Sequence, residues 1–278
     1  MYPPREKWLM RGRLRRRGIY WLPNLFTTAA LFAGFYSVVQ AMSGRFEHAA
    51  IAIFVAMVLD GMDGRIARLM HTQSAFGAEY DSLADMVSFG VAPALVIYVW
   101  SLKDFSTAQN LPLVGPWLTA KLGWIAAFIY CACAALRLAR FNTQLEVADK
   151  RYFQGLPSPA AASVVAGFVW AASEYGVSGG DVKGLAWFIT TFAGLTMVSN
   201  LRYYSGKDIN LRKSVSFNVI VFILLGVVAI VTLSSSLPEM LFALFGIYAV
   251  SGYVLGAWSL VRRRSGRLPP PPAAPPAA

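Results

Sequence analysis

Long apolar runs separated by short charged patches constrain this chain more than any other feature of its sequence. Only 14% of its 278 residues are charged, whereas a soluble domain usually carries about 25%. The runs approach the roughly 20 residues that a helix needs to cross the hydrocarbon core of a bilayer. We therefore predict an all-α, polytopic membrane helical bundle with about eight transmembrane helices. The predicted spans are residues 22–42, 47–70, 81–102, 116–138, 157–175, 183–201, 214–233 and 237–261.

The net charge of +11 would suit a nucleic-acid-binding protein, but the distribution of the charge favours a membrane protein. When the segments between the spans are assigned alternately to the two sides, starting inside, 21 of the 25 Lys and Arg residues fall inside. This asymmetry follows the positive-inside rule and predicts that both termini are cytoplasmic. We expect a multi-pass protein of the cell (inner) membrane that interacts with the lipid bilayer and does not bind nucleic acid.

Changes of composition near the two ends divide the chain into three parts. Residues 1–21 are basic, and we expect this arm to lie against anionic lipid head groups. Residues 22–262 contain the apolar runs and form the membrane domain. Residues 263–278 are rich in Pro and Ala, a composition that predicts a disordered tail.

Four aspartates lie beside the second and third apolar runs, at positions 60, 63, 81 and 85. Spacings of three and of four residues place each pair on one face of a helix. Because a short loop joins the two predicted helices, we expect the pairs to converge at one side of the membrane. Like charges this close repel each other unless some are protonated or a cation neutralises them.

Carboxylate oxygens without a cluster of His or Cys favour Mg²⁺, Mn²⁺ or Ca²⁺ over zinc. Four carboxylates offer enough oxygens for two ions, and paired ions stabilise the attacking and leaving oxygens of a phosphoryl displacement. The alternative is a cation or proton transporter, since acids inside a membrane often form ion paths. The position of these acids at one membrane edge favours a site that solutes reach from the cytoplasm, and transport remains the rival interpretation.

Small and polar residues near the aspartates admit two interpretations. Gly61, Gly64 and Ala67 either leave room for a ligand or allow close packing of membrane helices. Arg68, one turn further, either meets a phosphate or anchors the helix at the interface. The segment from Pro23 to Thr28 either opens a helix, for which proline is well suited, or contributes to a site.

The residues from Asp60 to Asp85 match a known motif at every position and spacing. The motif is D-x-x-D-G-x-x-A-R, then eight residues, then G-x-x-x-D-x-x-x-D. The chain thus resembles the CDP-alcohol phosphotransferase family, in which an alcohol displaces CMP from a CDP-alcohol. The resemblance implies Asp85 as general base and two divalent ions per subunit, Mg²⁺ or Mn²⁺ with Ca²⁺ as a further candidate. The implied metal ligands are Asp60, Asp63, Asp81 and Asp85.

Four further segments resemble the serine-using bacterial membrane branch of this family: PNLFT, LRLARFN, FQGLPSPAAA and SNLRYYSGKDI. That resemblance implies CDP-diacylglycerol and L-serine as substrates, CMP as a product, and a homodimer. The expected nucleotide- and phosphate-binding residues are Asn24, Thr27, Gly64, Ala67, Arg68 and Gly77. The candidates for binding serine or lipid phosphate are Arg137, Arg140, Asn142, Arg202 and Lys207.

Arg137 and Arg140 are the preferred pair for the serine carboxylate, because they are three residues apart on one helical face. For each basic candidate, positive-inside charge is an equally good explanation. The same chemistry with glycerol phosphate, inositol phosphate or choline as acceptor is the nearest alternative function.

Overall fold

The computed structural model describes residues 21–70, 74–107, 116–144, 152–204 and 236–264. Nearly all of this part of the chain is helical. The helices are α1 (Trp21–Met42), α2 (Phe46–Leu69), α3 (Ala75–Asp85), a π-helical segment (Met86–Val91), α4 (Ala92–Trp100), a 3₁₀ helix (Leu102–Thr107), α5 (Pro116–Gln144), α6 (Ser158–Glu174), α7 (Lys183–Val198) and α8 (Leu237–Arg264).

Within the described residues, four stretches are long and apolar enough to cross a membrane. They are Asn24–Met42, Ala75–Trp100, Lys121–Thr143 and Leu237–Gly256. Large apolar side chains cover the outside of these helices, and Ile247 and Phe32, for example, are 71% and 67% exposed. An apolar outer surface of this kind suits a lipid environment, and the chain is a membrane protein.

Helices occupy seven of the eight predicted spans, and the eighth, residues 214–233, lies outside the described residues. α6 and α7, with 17 and 16 residues, are shorter than the four spanning stretches. The third predicted span began at residue 81, but α3 begins at Ala75. Ser74 explains the earlier start, because its hydroxyl accepts a hydrogen bond from the N–H of Gly77 at 3.0 Å and caps the helix.

The helix that carries Asp81 and Asp85 changes its winding directly after Asp85. The π-helical segment runs into α4, whose second residue is Pro93. Proline has no N–H to donate, so the carbonyl of Phe89, four residues earlier, needs another donor. The hydroxyl of Tyr130 on α5 donates to that carbonyl at 3.0 Å. This bond links the end of the aspartate-bearing helix to α5.

α6 is the central helix of the described part. From Ser158 to Val169, every residue except Pro159 is buried. Its small side chains allow α2 and α8 to approach, and a side-chain carbon at Gly167 would lie only 3.1 Å from the backbone of Phe242 on α8. The end of the molecule at which α6 begins is also the end at which α5 and α7 finish, because the last turns of α5 bond to Ser158 of α6 and to the Val198 carbonyl of α7.

A short antiparallel ribbon lies at this same end, and the all-helical prediction did not include it. β1 (Tyr152–Gln154) pairs with β2 (Arg202–Tyr204), with Phe153 opposite Tyr203. The turn after β1 contains Gly155 at φ +77°, where a side chain would collide with the Met197 carbonyl. The ribbon thereby connects the entry to α6 with the exit from α7.

Candidate active site

The adjoining ends of α2 and α3 bring the predicted aspartates together. Oxygen atoms of Asp60, Asp63 and Asp81 all lie within 4.8 Å of one another. The helical repeat aligns Asp60 with Asp63, and the short connection between Leu69 and Ala75 allows Asp81 of α3 to lie close to both. Three carboxylates from two helices thus form one cluster, which is the aspartate cluster below.

Asp85 borders the aspartate cluster one helical turn beyond Asp81. The Asp60 carboxylate lies within hydrogen-bonding reach of the carboxylates of both Asp81 and Asp85. One oxygen of Asp81 and one of Asp85 are buried and have no hydrogen-bond partner among the described residues. Buried polar atoms normally have a partner, and a bound cation would provide one for each of these two oxygens. The donor set therefore fits the hard divalent metal ions that the sequence predicted.

Thr27 contacts the aspartate cluster directly from α1. Its hydroxyl donates to Oδ2 of Asp63 at 2.7 Å, and both residues are buried. Asn24 lies one turn earlier, and a side-chain carbon at Gly77 would lie 3.6 Å from its Oδ1. The start of α1 is thus part of the wall of this site, as well as a helix entry.

The surroundings of Gly64 distinguish between the two interpretations of the small residues. Gly64 is exposed, and a side-chain carbon there would meet no atom of the described residues within 4 Å. Close helix packing would have put a neighbour at that position, as it does at Gly34, where Ser88 is less than 3 Å away. Gly64 therefore leaves open space next to Asp63. Ala67 and Arg68 lie on the last turns of α2, and their side chains lie outside the described part.

Arg137 faces the carboxylates from α5. Its guanidinium interacts electrostatically with Asp85 and Asp60. Its Nη1 donates to Oγ of Ser158, the first residue of α6, at 2.6 Å. The guanidinium carbon also lies 5.8 Å from the centre of the Phe141 ring. A cation in this position faces the carboxylates and offers its remaining N–H groups to an anionic ligand.

Arg140, the other member of the preferred pair, binds the ribbon instead. Its Nη2 donates to Asn200 Oδ1 at 2.6 Å and to Gln154 Oε1 at 2.8 Å, and its Nη1 donates to the Val198 carbonyl at 3.4 Å. These bonds join the end of α5 to β1 and to the end of α7. The two arginines share a helix, but they have different partners.

The remaining candidates are placed at different distances from the site. Asn142 pairs with Ser82, next to Asp81, through its Nδ2 at 3.0 Å from the serine Oγ. Arg202 lies on β2, opposite Gln154, and its side chain is outside the described part. Lys207 lies outside the described residues altogether.

Ser158 contacts Arg137 but was not predicted as a site residue from the sequence. Ser158, in the segment GLPSPAAA, is 21 residues from Arg137 in the sequence. The two residues lie on different helices, so no periodicity in the sequence relates them. Gln154 and Asn200, which bind Arg140, were missed for the same reason. The only sequence signal for all three was that they lie within the segments that resemble the family.

Replacing Arg140 with Ala is expected to destabilise the protein by about 1–2 kcal/mol, because partly exposed hydrogen bonds to a charged group are lost. The midpoint of thermal unfolding in detergent measures the effect. Arg45→Ala, which changes an exposed arginine on the α1–α2 turn, is the matched control and should leave the midpoint unchanged. Equal midpoints for both variants would show that the ribbon contacts contribute nothing.

The fold and the site define this chain as a membrane protein with a candidate divalent-metal site. Its apolar helices are suited to cross a membrane, and they bring carboxylates together at one end. The comparison with known proteins specifies the family. A profile of the CDP-alcohol phosphatidyltransferase family matches residues 20–199. The chain therefore belongs to this family, and the predicted membership and transferase activity are confirmed.

Curated relatives cover most of the chain. It is 33% identical over 244 residues to "CDP-diacylglycerol--serine O-phosphatidyltransferase" of Helicobacter pylori (strain ATCC 700392 / 26695), an alignment that spans 88% of this chain and 94% of that protein. A protein of the same name from Methanocaldococcus jannaschii is 32% identical over 209 residues, or 73% and 83% of the two chains. Another from Mycobacterium leprae is 37% identical over 160 residues, or 56% and 48%. The resemblance to the serine-using branch is confirmed by these relatives.

Proposed function

We propose that this protein transfers the phosphatidyl group of CDP-diacylglycerol to L-serine, which yields phosphatidylserine and CMP. The observation that carries the proposal is the convergence of Asp60, Asp63 and Asp81 beside Asp85, within the part of the chain that matches the family. The names of the relatives supply serine as the acceptor.

The aspartate cluster and Asp85 would hold two divalent ions, Mg²⁺ or Mn²⁺, with Ca²⁺ as a further bound ion. Support comes from the short separation of the oxygens and from the unpartnered oxygens of Asp81 and Asp85. Bound ions would supply positive charge at the diphosphate, where phosphoryl transfer develops negative charge. Thr27 would keep Asp63 oriented toward the site through its 2.7 Å hydrogen bond.

Asp85 would act as the general base. The serine hydroxyl oxygen forms a bond to the β-phosphorus, and the bond from that phosphorus to the bridging oxygen breaks, so CMP leaves with the bridging oxygen. The hydroxyl proton passes to the Asp85 carboxylate. Asp85 lies beside the aspartate cluster, within hydrogen-bonding reach of Asp60, where it would adjoin the reacting phosphate.

Arg137 would bind the serine carboxylate. It faces Asp85 and Asp60, so an acceptor that pairs with the arginine through its carboxylate presents its hydroxyl toward the base. Arg140 is a weaker candidate for this role, because Gln154 and Asn200 already accept its N–H groups. Asn142, Arg202 and Lys207 remain candidates for contacts to serine or to the lipid phosphate.

The nucleotide and its phosphates would lie against the start of α1 and the open face of α2. The proposed contact residues are Asn24, Thr27, Gly64, Ala67, Arg68 and Gly77. Support comes from the exposed position of Gly64 and from the proximity of Asn24 to Gly77. The acyl chains would remain in the lipid next to the apolar outer surface of the helices.

Replacing Gly64 with Leu should raise KM for CDP-diacylglycerol by about tenfold, a loss of ~1.4 kcal/mol of binding. A first side-chain carbon at this position meets no described atom within 4 Å, so we expect the fold to be preserved while the space for the ligand is filled. Gly184→Leu is the control, because Gly184 on α7 is also exposed and open but lies at the other end of the molecule. An unchanged KM in Gly64→Leu would remove this glycine from the nucleotide site.

The protein would be a homodimer in the cell (inner) membrane. Each subunit would have eight spans, both termini in the cytoplasm and its active site at the cytoplasmic face. In this arrangement residues 1–21 form an interfacial arm, residues 22–262 form the catalytic membrane domain, and residues 263–278 form a separate tail. The concentration of basic residues on one side supports the orientation.

An acceptor screen tests the proposed function. The purified protein is supplied with CDP-diacylglycerol, Mn²⁺ or Mg²⁺, and one acceptor at a time: serine, glycerol phosphate, inositol phosphate or choline. We expect serine to produce the largest release of CMP. Release of CMP with another acceptor and none with serine would assign that other alcohol as the acceptor. Ion flux in sealed vesicles without nucleotide would favour the transporter.

A further inference from the structure

The first residue of α6 is a buried serine that contacts the arginine facing the carboxylates. Ser158 is 0% exposed, and its Oγ lies 2.6 Å from Nη1 of Arg137. Among the described residues, Arg137 is the hydrogen-bond partner of this hydroxyl. Since a hydroxyl has two acceptor positions and one donor, accepting from Arg137 leaves its own proton available.

Arg137 needs such an anchor because competing partners surround it. A long arginine side chain has many rotamers, and ordering it costs conformational entropy. Asp85 and Asp60 attract the guanidinium from the α3 and α2 sides. A freely moving guanidinium would move toward these carboxylates and pair with the group proposed as the base. The bond to Ser158 holds it toward α6 and away from that pairing.

α8, which lies outside the residues matched by the family profile, also approaches Arg137. Tyr248 of α8 lies near Arg137, and its ring packs against Tyr203 of β2 with the ring centres 5.5 Å apart. Tyr203 in turn donates to the Ala249 carbonyl at 2.7 Å. The ribbon and α8 are therefore joined to each other on the side of α8 that lies near the guanidinium.

We infer that Ser158 is a positioning residue, which fixes the Arg137 guanidinium where it receives the carboxylate of the acceptor. The inference rests on the proposed function, because it requires an acceptor with a carboxylate. Ser158 itself touches neither the diphosphate nor the reacting hydroxyl. Its removal therefore affects acceptor binding and leaves CDP-diacylglycerol binding intact.

Steady-state kinetics of Ser158→Ala test this inference. We expect KM for serine to rise by about tenfold, the scale of one lost hydrogen bond to a charged group, with KM for CDP-diacylglycerol unchanged. Ser163→Ala is the matched control. Ser163 is also buried on α6, but among the described residues its hydroxyl bonds to the Pro159 carbonyl of its own helix and to Sδ of Met57. Ser158→Cys, which is closer in size and accepts more weakly, should give an intermediate KM and replaces the alanine variant if that one fails to fold.

A double-mutant cycle with Arg137→Gln separates positioning from a general structural effect. If Ser158 acts through Arg137, then adding Ser158→Ala to Arg137→Gln changes KM for serine no further. Additive effects, or an unchanged KM in Ser158→Ala, would overturn the inference while the proposed function stands. A wild-type protein that releases CMP only with other acceptors would overturn both.

Discussion

Replacing Asp85 with Asn is expected to reduce serine-dependent CMP release by about 10³-fold, within the range typical for loss of a general base. The amide is nearly the same size as the carboxylate but cannot accept the proton of the serine hydroxyl. Asp85 also ends α3 directly before the π-helical segment, so its position is fixed by the change of winding and by the Tyr130 bond to Phe89. The asparagine should therefore occupy the same position without the same chemistry.

Glu79→Gln is the control for this variant. Glu79 lies on the same helix and carries the same charge, but its side chain is exposed. We expect its rate to stay within about twofold of the wild type, as for ordinary surface substitutions. The rate of CMP release at saturating substrates is the measurement. If Asp85→Asn retained a rate close to that of Glu79→Gln, Asp85 would not be the base.

Replacing Asp81 with Asn is expected to have effects of opposite sign on activity and on stability. CMP release should fall by about 10³-fold, because a ligand worth several kcal/mol of charge stabilisation is lost. Without metal, however, the variant should unfold at a higher temperature than the wild type. Asp81 lies within reach of both Asp60 and Asp63, so removing its charge relieves repulsion among crowded carboxylates.

Thermal unfolding with and without Mn²⁺ makes this prediction specific. A ligand that binds only the folded state stabilises it, so Mn²⁺ should raise the wild-type midpoint and have a much smaller effect on Asp81→Asn. Asp181→Asn removes an exposed carboxylate from the turn before α7 and should behave as the wild type. Equal stabilisation of wild type and Asp81→Asn by Mn²⁺ would exclude Asp81 as a ligand.

Local spacing was enough to predict the aspartate cluster. Residues three or four apart on a helix share a face, and the short connection between α2 and α3 leaves the two pairs little freedom. The apolar runs predicted the helices for the same reason, because composition and length are local properties. The predicted start of the third span was six residues too late, because the cap at Ser74 extends α3 beyond its apolar part.

Contacts between distant segments could not be predicted in the same way. Arg137 and Arg140 look equivalent in the sequence, but one faces Asp85 and the other binds Asn200. Their difference depends on where α6 and the ribbon approach α5, and no periodicity encodes that arrangement. The π-helical segment after Asp85 depends similarly on a tyrosine 41 residues from its acceptor carbonyl.

The function of Gly64 could be assigned only from its surroundings in the folded protein. Sequence alone left ligand space and helix packing as equal alternatives. A side-chain carbon at Gly64 would meet open space, so this glycine leaves room for a ligand. At Gly34 it would meet Ser88, so that glycine serves helix packing.

The fate of labelled serine tests the central claim most directly. The purified wild-type protein is incubated with CDP-diacylglycerol, Mn²⁺ and radiolabelled L-serine, and label in the lipid extract is compared with CMP in the aqueous phase. We predict one serine in lipid for each CMP released, with both lost in Asp85→Asn. Release of CMP without label in the lipid would contradict the assignment of serine as the acceptor.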